Sequence, residues 1–174
     1  YGNGLLYRGN LIGTSYLLSK LDFMDGDVIL DCGANMGDLQ LYFKVRGVNV
    51  DYIGVESNPI DFKCLAKNTL PEKALNIALW NSNSTMIFHV DTASASSSLI
   101  QPPFFTEKIE VPAVRIDSLE LPSRIKLFKV EGEGAEPEIL EGAQGIFSRI
   151  EYISVDAGPE RGVNQTSTRD DVIK

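Results

Sequence analysis

Four short apolar runs are separated along the chain by segments in which apolar residues recur with helical spacing. The runs cover residues 28–30, 52–55, 127–130 and 152–155. Continuous apolar runs of this length are typical of strands in a parallel sheet that is covered on both faces. The first helical segment ends at Gly47, and the second begins at Asn58-Pro59, where proline suits the first helical turn. This alternation predicts an α/β fold with a mostly parallel sheet built from βαβ units.

The remaining patterned segments differ from these units. A third helix is predicted to begin near Pro137 and to place Ile139, Leu140, Ala143 and Phe147 on one face. Residues 85–90 and 109–116 alternate in polarity or contain proline, as edge or antiparallel strands do. The loop of small residues at 92–98 is interpreted either as a flexible tip or as a lid over a binding crevice.

An acidic residue lies at or next to the end of each of the four apolar runs. These residues are Asp31, Glu56, Glu131 and Asp156. In open parallel sheets, ligands bind beyond the carboxyl ends of the strands. The four carboxylates therefore predict one crevice at one edge of the sheet.

The segment at 31–37 follows a strand, opens a helix and contains Gly33 and Gly37. Such glycines allow a tight turn and let a ligand approach the backbone, while the helix start offers free N–H donors. Glu56 ends the next strand, 19 residues after Gly37, where its carboxylate can accept hydrogen bonds from both hydroxyls of a ribose. Loop and acid together predict a site for a nucleoside-containing ligand.

Two alternatives apply to this loop. A dinucleotide-binding Gly-x-Gly-x-x-Gly loop counted from Gly33 would need glycines where Asn35 and Asp38 stand. Alternatively, the glycines only make a turn and Glu56 caps the following helix. A ligand with a ribose and an amino group, and no phosphate, suits a loop that begins with Asp31, and S-adenosylmethionine is such a ligand.

The motifs resemble those of FkbM-type methyltransferases. Residues 31–37 resemble the family loop Asp-x-Gly-Ala-Asn-x-Gly, and residues 56–59 resemble its Glu-Pro-Asn-Pro segment. Residues 128–142 resemble Leu-Lys-Ile-Asp-Val-Glu-Gly-Ala-Glu and the helix after it, and residues 114–119 resemble the preceding Thr-Leu-Asp-x-Leu. The resemblance implies a Rossmann-like class I methyltransferase that uses S-adenosylmethionine. We expect one domain over residues 1–174, with a helical lead-in at 1–26 and a core matching the family at 27–162.

The resemblance also implies roles for individual residues. Gly33, Ala34, Asn35 and Gly37 are assigned to the methionine part of the cofactor, Glu56 to its ribose, and Ser57, Asn58, Ala78 and Leu79 to its adenine. The chain departs from the family pattern at Glu131 and Gly132, where the family has Asp and Val. A complete class I sheet has seven strands, so the chain is also expected to be C-terminally truncated.

Methyl transfer to a hydroxyl requires alignment of the reactants and removal of a proton. Glu131 and Glu133 are the candidate bases, although Glu131 can instead orient the cofactor and Glu133 can cap the helix near Pro137. With Asp156 they could also converge on Mg²⁺, but nothing in their spacing demands a metal and we expect none. The single histidine, His89, is expected to be a packed or edge residue.

Charge and hydropathy limit the partners. The net charge of −8 and the isoelectric point of 4.7 disfavour nucleic acid. The absence of long apolar runs favours a cytoplasmic protein without a membrane partner. The expected acceptor is a small molecule or glycan, held by loops at 93–105 and 158–162, and homo-oligomer formation stays open. A cofactor-binding module without activity and an NAD-dependent oxidoreductase are the alternative functions.

Overall fold

The computed structural model describes residues 2–70, 73–94 and 96–173. The helices are α1 (Gly2–Ser15), α2 (Leu39–Lys44), α3 (Pro59–Asn68), α4 (Glu136–Glu141) and α5 (Arg169–Val172). The strands are β1 (Val28–Cys32), β2 (Asp51–Val55), β3 (Lys73–Leu75), β4 (Ala78–Leu79), β5 (Ser84–Val90), β6 (Glu107–Val114), β7 (Ile125–Val130) and β8 (Ile150–Val155). Short 3₁₀ turns cover Leu18–Lys20, Ile116–Ser118 and Gln144–Arg149.

Five strands form a parallel sheet in the order β3-β2-β1-β7-β8. The register pairs Cys32 with both Val55 and Val130, and Val130 with Val155. The strands β1, β2, β7 and β8 therefore end level with one another, and the residues that follow them meet at one edge. The predicted α/β fold with a mostly parallel sheet is confirmed.

Successive residues of each strand point to opposite faces of the sheet. Around the central strands, both faces are covered by packed side chains. On one face, Ile29 and Leu127 pack with Tyr42 and Phe43 of α2 and with Ile12 of α1. On the other face, the core is formed by Leu30, Ile53, Phe128, Ile139 and Ile146. This burial on both sides explains why the central strands β1, β2 and β7 are mostly apolar in the sequence, whereas the edge strand β8 is largely exposed.

A second, smaller sheet has the order β4-β6-β5. The strands β5 and β6 pair in antiparallel fashion, as the alternating polarity predicted, and β4 runs parallel to β6. The strand β6 ends at Val114, so Ile116 lies in a 3₁₀ turn rather than in the strand predicted at 109–116. This sheet places Phe88 and the segment after β5 beside the carboxyl edge of the large sheet.

The third predicted helix is shorter than expected, and the placement of Phe147 on its buried face is wrong. The helix α4 ends at Glu141, and a separate 3₁₀ turn begins at Gln144. A Cβ at Gly142, where the helix ends, would lie 2.0 Å from the carbonyl oxygen of Trp80, so only glycine fits there. In the 3₁₀ turn Ile146 is buried, whereas Phe147 is 39% exposed.

Candidate active site

A cavity of about 250 Å³ lies at the carboxyl edge of the large sheet. This volume is near the lower end of the range of roughly 300–1,000 Å³ that is typical of small-molecule pockets. The helix α1 contributes Arg8, Ile12 and Tyr16 to one wall. Of the residues predicted for the site, those that line this cavity are Asp31, Gly33, Ala34, Asn35, Glu56, Ser57, Ala78, Leu79, Glu131 and Glu133.

The glycine-rich loop after β1 is bonded to the neighbouring strands. The amides of Gly33 and Ala34 both donate to the carbonyl of Val55, at 3.0 Å each. Gly33 has a φ of +71°, and a Cβ there would lie 2.1 Å from the carbonyl oxygen of Glu131. Glycine is therefore required at this position to bring the loops after β1 and β7 together.

The carboxylate of Glu56 is held at the end of β2 by two backbone amides. Its Oε2 accepts from the N–H of Asn35 at 2.8 Å, and its Oε1 accepts from the N–H of Asn58 at 2.7 Å. Only 8% of Glu56 is exposed, and this burial raises the pKa of its carboxyl group. Each oxygen keeps a further acceptor position, so a fixed Glu56 can still accept hydrogen bonds from a ligand.

Gly37 and Asn58 do not line this cavity. Gly37 turns the chain into α2 and faces the side chain of Leu65. Asn58 is buried and caps α3, since its side-chain oxygen accepts from the N–H of Ile60 at 3.0 Å. Both residues shape the site through the backbone, and the cofactor contacts assigned to them stay predictions.

The side of the cavity near β4 is mostly apolar. Ile77, Ala78 and Leu79 line it together with Phe88 and Leu99. Ser57 lies beside them, and its hydroxyl donates to the carbonyl of Ile77 at 3.3 Å. This side suits a flat apolar ring, whereas the opposite side of the cavity is charged.

The charged side is centred on Lys129, which is only 3% exposed. Its Nζ lies 3.1 Å from Oδ1 of Asp31 and 2.8 Å from Oε2 of Glu131. It also donates to the carbonyls of Cys32 and Gly33 at 3.1 and 2.8 Å. Burial would lower the pKa of this ammonium group, but the two carboxylates outweigh burial and raise it. Lys129 is therefore a fixed cation between two acids.

Two tyrosines complete this network. The hydroxyl of Tyr16, just beyond α1, donates to Oε2 of Glu131 at 2.7 Å, and that of Tyr52 donates to the buried carboxylate of Asp31. The sequence analysis assigned no role to Lys129 or Tyr16. A lysine inside an apolar strand was the available signal for Lys129, because a buried lysine needs a charged partner. No comparable signal marks Tyr16.

The two candidate bases have opposite pKa shifts. Burial opposes the ionisation of Glu131, but the Lys129 ammonium and the hydrogen bonds from Lys129 and Tyr16 lower its pKa. The pKa of Glu133 is raised to about 8 by burial and by the nearby carboxylates of Glu160 and Glu131, among others. A base is most effective when its pKa lies near the working pH, so Glu133 is the better candidate.

The capping alternative for Glu133 stays a prediction. The N-cap residue of α4 is Ala135, which makes no side-chain cap hydrogen bond, and Oε1 of Glu136 accepts from the amides of Gly132 and Gly134, at 2.8 and 3.1 Å. A Cβ at Gly132 would lie 2.6 Å from Cδ1 of Ile139. This atom is the far end of a flexible side chain, so a small shift of Ile139 would accommodate a larger residue at position 132.

His89 lies outside the site, as expected. It is 7% exposed, its Nδ1 lies 3.3 Å from the carbonyl of Ser98, and its ring packs edge to face on Phe105. Within residues 2–70, 73–94 and 96–173, no three His, Cys, Asp or Glu side chains are grouped so that they could hold a metal ion.

The segments predicted to hold the acceptor meet at a second cavity of about 150 Å³. Ser94, Ser96 and Phe104 line it from one segment, and Glu160 lines it from the other. Glu133 lines both cavities. Ser97 and Leu99 also line the first cavity, so the loop at 92–98 lies against the crevice, as the lid interpretation requires.

The profile of the Methyltransferase FkbM domain matches residues 31–170. The chain belongs to this family. A comparison with curated proteins found no match.

The fold is similar to the crystal structure of Methyltransferase FkbM from Methylobacillus flagellatus KT, with a TM-score of 0.59. The identity is 17% over 88% of this chain, and the match covers 37% of that chain. The similarity therefore concerns the fold of a part of that protein. None of the helices in the described ranges combines the length and the apolar character needed to span a lipid bilayer.

Proposed function

We propose that the chain is the catalytic domain of an S-adenosylmethionine-dependent O-methyltransferase that acts on a hydroxyl of a sugar, glycan or other natural product. One observation carries this proposal: a single cavity joins the glycine loop and Glu56 to Glu133, a carboxylate with a pKa of about 8. Membership in the Methyltransferase FkbM domain family supports methyl transfer as the reaction.

The order of the strands supports the fit of the cofactor. Neighbouring strands lie about 4.8 Å apart. Along the edge, the apolar side near Ala78 comes first, then Glu56 after β2, the loop after β1, and Glu131 with Glu133 after β7. Adenine, ribose and the methionine part follow one another in the same order within S-adenosylmethionine. In this arrangement the loop after β1 would hold the methionine part between Glu56 and the two acids.

The charges also suit this ligand. Asp31 and Glu131 carry two negative charges against the one positive charge of Lys129, so the network favours a cationic ligand. Oδ1 of Asp31 is buried and accepts no hydrogen bond from the described residues, although it is ion-paired with Lys129. An ammonium group near Asp31 would satisfy it, as we proposed from the sequence.

The chain's own residues have separate roles in this reaction. Glu56 fixes a ribose by accepting hydrogen bonds, and the Lys129 network keeps Asp31 and Glu131 in place. S-adenosylmethionine, when bound, supplies a methyl group on a positively charged sulfur that keeps the bonding electrons when the methyl leaves. Glu133 accepts the proton of the acceptor hydroxyl as the new bond from oxygen to carbon forms. Glu131 stays ionised and orients the ligand because its pKa is lowered.

A dinucleotide fits this loop poorly. The carboxylate of Asp38 lines the cavity but is paired with Arg8 at 2.8 Å, so its charge alone does not decide between the ligands. The N–H of Asn35, which a phosphate would need, already donates to Glu56. The latter contact supports S-adenosylmethionine over NAD.

Calorimetry with S-adenosylmethionine and, separately, with NAD tests the cofactor. We expect saturable binding of the first and none of the second, and the reverse result would overturn the proposal. Transfer of a labelled methyl group to a panel of glycans then tests catalysis. Binding of the cofactor with no transfer to any hydroxyl acceptor would favour the inactive module.

A further inference from the structure

The second cavity lies on the far side of Glu133 from the glycine loop. Its walls are Asp91, Ser94 and Ser96, then Pro102 to Phe104, and finally Glu160 and Gln165. Glu133 has a φ of +50° and stands between Gly132 and Gly134, where it reaches both cavities. A proton acceptor in this position can serve a ligand in either cavity.

Hydrogen bonds hold both walls against the loop that carries Glu133. The hydroxyl of Ser98 donates to the carbonyl of Glu133 at 2.8 Å and to that of Gly132 at 3.3 Å. On the other wall, Arg161 donates to the carbonyl of Gly134 and pairs in bidentate fashion with Glu138, at 2.8 and 2.6 Å. The cavity is thus formed before a ligand arrives, as binding pockets usually are.

The cavity combines one aromatic ring with hydrogen-bonding groups. Phe104 lines it and is 81% exposed. A large apolar side chain in water is informative when it lines a concave surface with polar groups. Ser94, Ser96 and Gln165 supply hydroxyl and amide groups there. A ring with an apolar face and hydroxyls at its rim can use both features at once.

The charge of the cavity is negative. Asp91 contributes a carboxylate, Glu133 and Glu160 become carboxylates as pH rises above about 8 and about 7, and among the described residues that line the cavity there is no lysine or arginine. Burial and the neighbouring Asp156 raise the pKa of Glu160 to about 7, which reflects the crowding of acids. An anionic ligand would add a further negative charge without a cation to pair with it.

We infer that the second cavity is the acceptor subsite and that it selects a hydroxylated ring without a negative charge. This inference rests on the proposed methyltransferase function and names its acceptor class. Phe104 provides the stacking surface, Glu133 receives the proton of the hydroxyl, and Asp91 with Glu160 exclude sugar acids and sugar phosphates.

Direct binding tests the selection by charge. Glucose, glucosamine and glucuronate share a ring and differ in charge, and ligand-observed NMR with the whole chain measures their affinities in the presence of S-adenosylhomocysteine. We expect glucosamine to bind at least as tightly as glucose, and glucuronate at least tenfold more weakly than both. Equal affinity for glucuronate, or no binding of glucose and glucosamine, would overturn the inference.

Substitutions test whether the sugars bind in the second cavity. Phe104→Ala is expected to weaken glucosamine binding at least fivefold, whereas Phe147→Ala, which removes an exposed ring outside both cavities, leaves it unchanged. Glu160→Gln is expected to reduce the discrimination against glucuronate. An unchanged sugar affinity in Phe104→Ala would count against the inference.

The affinity for S-adenosylmethionine, measured on the same samples, separates a failure of the proposed function from a failure of the acceptor inference. If the wild-type chain fails to bind S-adenosylmethionine, the proposed function fails. If it binds the cofactor but does not discriminate between the sugars, only the acceptor inference fails. Both Phe104→Ala and Glu160→Gln should bind the cofactor as wild type does.

Discussion

The Nζ atom of Lys129 lies 2.8 Å from Oε2 of Glu131. This contact, together with the hydrogen bond from Tyr16, lowers the pKa of Glu131 against the effect of burial. Burial and nearby acids, chiefly Glu160 and Glu131, raise the pKa of Glu133, two residues later, to about 8. Two glutamates on one loop therefore have different basicities, and on this basis we propose that Glu133 removes the proton.

Replacement of each glutamate by glutamine tests this assignment. Glu133→Gln removes the base and is expected to lower kcat by about 10²–10⁴-fold, the usual contribution of a general base. Calorimetry should show that this variant keeps its affinity for S-adenosylmethionine. Glu131→Gln should act chiefly on cofactor binding, because it removes a partner of Lys129. A larger loss of kcat in Glu131→Gln than in Glu133→Gln would reverse the assignment.

The pH profile gives an independent measurement. Glu133 must be ionised to accept a proton, and its pKa is about 8 in the free chain. The value of kcat/KM, which reports the free enzyme, is thus expected to rise as pH increases through about 8 and to level off above it. In Glu133→Gln this step should disappear. A profile that is flat from pH 6 to 9 in the wild-type chain would show that another group removes the proton.

The fold was largely predictable from the sequence, since the central strands β1, β2 and β7 are buried on both faces. Continuous apolar runs of that kind are visible without knowledge of the neighbours, and Glu56 could be placed because it directly follows such a run. The close approach of Trp80 to Gly142, at the end of α4, was not predictable. That approach joins parts of the chain that are distant in sequence.

The same limit applies to the site. Tyr16 and Glu131 are 115 residues apart and meet only because α1 lies over the carboxyl edge. Lys129 is inside a recognisable motif, yet one of the acids that hold it follows its own strand and the other comes from the neighbouring strand β1. The sequence shows which residues are unusual, whereas the pairing of strands determines their partners and thus their pKa values.

Removal of the buried cation should destabilise the chain strongly. Lys129→Met leaves Asp31 and Glu131 close together without a counter-charge, and the loss of one partner of a buried ion pair costs about 3–5 kcal/mol. Lys126→Met is the matched control in the same strand, because its partner Glu151 is partly exposed and such pairs contribute about 0–1 kcal/mol. Urea unfolding measures both free energies. Equal losses in the two variants would contradict a buried, charged network.

Glu56 offers the most direct test of cofactor recognition. The two amides that hold its carboxylate fix it at the end of β2, beside the glycine loop. Glu56→Ala is expected to weaken S-adenosylmethionine binding by about 1–3 kcal/mol, the range for the loss of hydrogen bonds to a charged group. Because this variant also leaves the amides of Asn35 and Asn58 without their acceptor, Glu56→Gln provides a second measurement in which one oxygen is retained. It should lose less affinity than Glu56→Ala. Glu110→Ala, on the exposed surface of β6, is the control and should bind S-adenosylmethionine as wild type does. An unchanged affinity in Glu56→Ala would contradict the assignment of ribose binding to Glu56.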